Sequence, residues 1–262
     1  MTDARWLLMA TGNVSAASRD SPRASAMSNS PRSTTPVCLV IRWPRSVAAT
    51  SGPAQLLRRL VEDCLPATWC VETVEQAITL DTAIHLVEGA LLVPKVNAAS
   101  ANDAVADGLH RFNAAGHDVA TLCVDAELPR GQVERQLAQQ GVRAIVTESA
   151  ASDSGAVRPL PFGVWQLTPQ GTLPSRWSWF RRVGGVPQDF FSAATGPTIA
   201  SIDLAAIGSP DSRGWREMEK AIDQAATASD QGQIQIATVA DLTAELIRQS
   251  APKPQRSILR AA

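Results

Sequence analysis

Two aspartates stand where an α/β protein usually gathers its reacting groups. Asp125 falls near the end of the apolar stretch 116–126, and Asp203 follows the apolar run 198–202. Both runs read as buried strands, and barrels and open parallel sheets place their sites at the carboxyl ends of strands. Two carboxylates brought to one mouth would allow acid–base chemistry without a metal. The same positions equally suit carboxylates that cap the loop or helix that follows.

Other reactive groups are few. The three histidines, His85, His110 and His117, lie in separate elements, which gives a three-histidine metal site no support. The four cysteines, Cys38, Cys64, Cys70 and Cys123, sit in apolar surroundings without metal-like or disulfide-like spacing. They read as reduced core thiols of a cytoplasmic protein, with Cys38 and Cys123 expected near the axis of a barrel. No G-x-S-x-G elbow, G-x-G-x-x-G turn or Walker loop occurs. The densest mixture of aromatic and basic residues is Arg176, Trp177, Ser178, Trp179, Phe180, Arg181 and Arg182. Its rings either pack down as a lid or form a binding surface. In the second case Trp177 and Trp179 would stack on a sugar or base while Arg176 and Arg181 bond its polar groups.

Composition narrows the partners. The chain has 262 residues with 24 basic and 25 acidic side chains, so no global charge draws it to nucleic acid or to an anionic membrane. The apolar run 6–10 is too short for a signal-peptide core, and neither export nor membrane insertion is expected. A glycan or a protein remains the expected partner, and no cofactor is expected.

The elements that must position these residues alternate strictly. Residues 1–36, rich in Ser, Thr, Arg and Pro, are expected to be disordered, and 251–262 form a basic tail with two prolines. Between them, 37–250 read as one domain. Apolar runs at 37–41, 67–71, 90–93, 116–126, 142–146, 160–167, 198–202 and 234–237 predict strands buried on both faces. Helical periodicity separates most of them, with Pro53 in a first turn and Ser100 and Thr238 as caps. Gly116 and Gly141 close two of the helices. The stretch 168–197 shows no regular pattern. Alternation with apolar strands predicts a distorted (β/α) barrel of seven or eight parallel strands.

Two motifs on this framework resemble the polysaccharide deacetylase (NodB homology) family. They are Pro66, Ala67, Thr68 and Trp69 at the second strand, and Gly116, His117, Asp118, Val119 and Ala120 at the focal one. The closing run 234–246 resembles the family's last strand and Thr-led helix. The resemblance implies a (β/α) barrel and deacetylation of sugars with a divalent metal. That metal would be held by an aspartate after the first strand and by two histidines four apart, with a second aspartate as base. Carried across, the aspartates fall near Arg42 and Trp43 and the histidines at Leu122 and Ala126. The stretch 38–61 holds no Asp or Glu, and no histidine follows His117. The expectation is therefore a member of this family without its metal site, a carbohydrate-binding or protein-interaction module. The alternative is a hydrolase with a rearranged site built on Asp125, Asp203 or both.

Overall fold

The computed structural model describes residues 34–49, 52–83, 86–94, 98–125, 132–147, 157–173 and 196–250. Ten strands form one sheet: β1 (Thr35–Trp43), β2 (Ala67–Val71), β3 (Val87–Val93), β4 (Thr121–Val124), β5 (Ala144–Thr147), β6 (Val157–Pro159), β7 (Trp165–Leu167), β8 (Gly171–Leu173), β9 (Thr198–Asp203) and β10 (Ile234–Ala237). The described helices are α1 (Gly52–Glu62), α2 (Val74–Leu80), α3 (Ala98–Ala114), α4 (Gln132–Gln139), α5 (Leu204–Ile207), α6 (Arg213–Asp230) and α7 (Val239–Ser250).

The strand order is β6-β7-β5-β4-β3-β2-β1-β9-β8, with β10 beside β1. Only the β6–β7 pair is antiparallel, and the sheet curls into a half-barrel. This is the distorted α/β barrel expected, with nine parallel strands among the described residues where seven or eight were expected. β1 is its hub. Its first half pairs with β10 (Thr35 opposite Ile234) and its second half with β2 (Trp43 opposite Val71). Along its other edge it pairs with β9, Val37 opposite Thr198 through Arg42 opposite Asp203.

Side chains alternate across a strand, so β1 feeds two cores. Val37, Leu39, Ile41 and Trp43 pack outward with the buried faces of α1, α3 and α6. Cys38 and Val40 face the concave side together with Cys70, Ala90, Leu92, Cys123, Ala144, Val146, Leu167 and Ile199. In a closed barrel, large side chains fill that space. Here the wall is mostly small, and α7 lies against it through Val239 and Leu242, with Leu246 packed alongside.

Several expected boundaries shift. The run 160–167 is not one strand: Pro161 has no N–H to give a ladder, and Phe162 and Gly163 take φ of 63° and 77°. The chain turns there, closed by Leu160 N donating to Val164 O at 2.8 Å, and leaves β6 and β7 as separate pieces. Gly171–Leu173, inside the stretch expected to be irregular, is a short strand paired with β9. The focal strand shrinks to Thr121–Val124. α3 begins at Ala98, so Ser100 sits inside its first turn instead of capping it. Thr238 does cap α7, its hydroxyl accepting from Asp241 N at 3.1 Å while Asp241 accepts from Thr238.

Four helices end in the same way. After α3, α4 and α6, Gly116, Gly141 and Gly232 take φ of 84°, 90° and 65°. In each case the next residue's N–H bonds back to the last turn, as His117 N does to Phe112 O at 3.0 Å. α1 makes the same closure (Leu65 N to Leu60 O, 2.8 Å) with Cys64 at φ 53°, a conformation costly for a residue with a Cβ. Cys64→Gly is therefore expected to raise stability by about 1 kcal/mol. Gly141→Ala, where a Cβ meets open space and only the backbone objects, should lower it by about 1 kcal/mol. Urea midpoints at constant slope measure both.

Candidate functional site

The inward face of β1 ends on Arg42, whose side chain is 9% exposed. A guanidinium does not give up its proton, so once buried it must be paired. Arg42 Nη2 donates to both carboxylate oxygens of Asp125, which follows β4. Its Nη1 lies 3.9 Å from Asp203 Oδ2 at the end of β9. Register explains the second contact, since Arg42 and Asp203 are direct partners across β1 and β9. The first spans two intervening strands. Arg42 reaches over Cys70 and Ala90, its successive register neighbours on β2 and β3, and both are small.

Both sequence candidates therefore meet at one mouth, but around a cation. Asp203 does two jobs: Oδ1 accepts from Ala205 N at 3.0 Å and caps α5, while Oδ2 faces the guanidinium. The capping role read for it holds. Asp125, with a side chain 20% exposed, spends both oxygens on Arg42. The three groups together carry one net negative charge.

The donors implied by the family resemblance do not fit a divalent metal. Arg42 stands where a carboxylate ligand is needed. Trp43 turns outward, stacks edge-on against Trp69 at 6.0 Å and donates Nε1–H to Val47 O at 2.9 Å. Leu122 packs into the outer core on the face opposite Asp125, and Ala126 lies outside the described residues. His117 follows α3 ahead of β4, its ring edge-on to Phe112 at 6.3 Å and Nδ1 3.9 Å from Asp81 Oδ1. His110 is exposed on α3 as expected, and His85 is outside the described residues. Among the described residues no three His, Cys, Asp or Glu side chains gather to hold a metal.

The cysteines divide. Cys38, Cys70 and Cys123 are fully buried on the concave face, as expected for Cys38 and Cys123. Cys64 is exposed, against the expectation of four core thiols, because it occupies the α1 terminus described above. Cys70 hydrogen-bonds with Cys123, and that contact, with burial, pushes the Cys70 thiol up. Burial does the same to Cys38. Such thiols are packing groups rather than thiolate ligands. Arg176, Trp177, Trp179 and Arg181 lie outside the described residues. No helix among the described residues is long and apolar enough to cross a membrane.

Two residues were missed in the sequence, Arg42 and Glu88 of β3. The signal was there for both. Arg42 is a lone charge in a strand otherwise buried on both sides, and Glu88 stands two residues ahead of the buried run 90–93; a charge carried into such a strand must find a partner.

Removing Arg42 leaves two partly exposed carboxylates without the cation that both of them face, so Arg42→Ala is expected to cost about 3 kcal/mol. Replacing the pair together, Arg42→Met with Asp125→Leu, should return stability to within about 1 kcal/mol of the parent. Asp203→Asn should cost less than about 1 kcal/mol, because asparagine caps α5 as well. Denaturant unfolding of the three variants checks this order.

No model of a known protein family matches the chain, and no curated protein matches it. Among solved structures, a 4-alpha-glucanotransferase from Thermococcus litoralis aligns with 84% of this chain at 9% identity and a TM-score of 0.49. This chain spans only 39% of that protein's length. A protein of Bordetella bronchiseptica assigned as a polysaccharide deacetylase involved in O-antigen biosynthesis aligns with 81% of this chain and 90% of its own. Its identity to this chain is 9% and its TM-score 0.47. Neither likeness assigns an activity to this chain.

Proposed function

We propose that this chain is a non-catalytic, polysaccharide-deacetylase-like protein that binds carbohydrate at the C-terminal mouth of its half-barrel. The observation that carries the reading is the Arg42 guanidinium held by Asp125 and facing Asp203. Metal-assisted deacylation needs a Lewis acid and a free base. A fixed cation stands where the metal's carboxylate would be, and both oxygens of the acid best placed to be a base already accept from it. What this mouth offers is a set of fixed polar edges of both signs, suited to sugar hydroxyls. Arg176, Trp177, Trp179 and Arg181, which follow β8 in the chain, are proposed to add ring stacking and charged hydrogen bonds. A cytoplasmic location belongs to the same proposal, since the concave wall carries three buried free thiols.

Purified full-length protein is expected to keep no stoichiometric zinc, cobalt or nickel through dialysis and to release no acetate from acetylated oligosaccharides. It should be retained on a glycan array, and Trp177→Ala with Trp179→Ala should lose that retention with the fold intact. Acetate release abolished by Asp125→Asn or Asp203→Asn would make the protein a hydrolase with a rearranged site. Retention only by a protein partner would replace the carbohydrate reading with an interaction module.

A further inference from the structure

At the other end of the concave face a second charged group is half-buried, and the mouth makes no use of it. Glu88 is the inward residue of β3 in register with Thr68 of β2. Its Oε2 accepts from Thr68 Oγ1 at 2.7 Å and from Ala240 N at 2.9 Å. Thr68 Oγ1 in turn accepts from Val239 N at 2.8 Å. The first two amides of α7 are thus held by side chains of β2 and β3, in addition to the cap that Thr238 and Asp241 make within the helix. Cys38 Sγ donates to Thr238 O at 3.5 Å and ties the same turn to β1. Glu88 Oε1 is buried without a hydrogen-bond partner.

Asp241 of α7, Cys38 of β1 and Cys70 of β2 are the titratable groups around this carboxyl, and all three are acids. Thr121 of β4 borders it as well. Arg42 lies further up the same face, beyond Cys70, and is engaged with Asp125. Ionised, Glu88 would be a carboxylate with one bare oxygen next to a second carboxylate in an apolar wall. Protonated, it keeps both of its accepted hydrogen bonds and loses the repulsion.

We propose that Glu88 is a pH-sensitive latch on α7, which docks the helix over the concave face when protonated and loosens it when ionised. Burial first, and Asp241 next, push the carboxyl above its ordinary value, while the nearby Thr121 hydroxyl and the bonds from Thr68 and Ala240 work the other way. The sign follows from the raised value. With α7 undocked, Glu88 titrates near the ordinary carboxyl value of about 4.3. Docking is at full strength below that pH and is lost as pH rises through the higher docked value. Loosening uncovers the wall of Cys38, Cys70 and Cys123.

Amide hydrogen exchange of the full chain between pH 5 and pH 8, corrected for the chemical exchange rate, tests the latch. α7 opening is expected to rise with pH, by up to about tenfold per unit within the titration window, while α6 opening stays constant. Glu88→Gln keeps an oxygen acceptor and removes the charge, and should flatten the α7 profile. Asp241→Asn lowers the docked value, so the rise should shrink and level off at lower pH. A flat α7 profile in the parent protein overturns the proposal. So does a rise shared equally with α6, a slope unchanged in Glu88→Gln, or, if that variant does not fold, a profile unmoved in Asp241→Asn.

Discussion

Arg42 cannot shed its charge, and β1 carries it into a place where water does not follow. That constraint shapes the mouth. A buried guanidinium left alone costs several kcal/mol, so the ends of β4 and β9 have to arrive with carboxylates. Asp203 arrives through strand register, a short-range consequence of β9 lying beside β1. Asp125 arrives only because the sheet curls, since β2 and β3 stand between it and Arg42. The ion pair and the curvature therefore support each other: a flatter sheet would strand the guanidinium. Cys70 and Ala90 contribute by being small enough for the arginine to pass over them.

The concave face meets the same problem at both ends and solves it differently. At the mouth a cation is neutralised by two acids partly open to water. At the base an acid is held by a hydroxyl and by one amide of a helix start, where the helix dipole favours a negative charge but burial opposes it. Between the two lies a wall of cysteine, alanine and valine with α7 against it. A helix of the same chain thus occupies the concave face, which in a closed barrel is filled by the barrel's own side chains.

Much of this was legible in the sequence. Doubly buried parallel strands announce themselves as unbroken apolar runs, and Val37 to Ile41 and Ala67 to Val71 were read that way. The closure of α3 by Gly116 and the cap of α7 by Thr238 with Asp241 are local, so they too could be read. The breakdown came where the outcome depends on position in space. The run 160–167 looks continuous in hydrophobicity, but Pro161 and the turn through Phe162 and Gly163 keep all but its last three residues out of the sheet. Asp125 and Asp203 were found as candidates, yet their partner sits 83 residues from Asp125 and carries the opposite charge to the residue sought there. Glu88 lies two residues ahead of the apolar run 90–93, and hydrophobicity alone does not show that β3 extends back through it to Val87.

β1 pairs at the same time with β2, β9 and β10, and this bears on how the chain reaches its fold. β2 leaves the ribosome soon after β1, but Ile234, the partner of Thr35, follows about two hundred residues later. At a synthesis rate of roughly 5–20 residues per second, the first half of β1 waits about 10–40 s for β10. During that interval the edge of Val37 to Ile41 that β9 later covers stands open, and β2 covers only the second half of the other edge, an open apolar template of the kind that invites pairing with other chains. The hub of the finished sheet is thus also its longest-exposed strand during synthesis, and closing it joins the two ends of the domain in a late, long-range step.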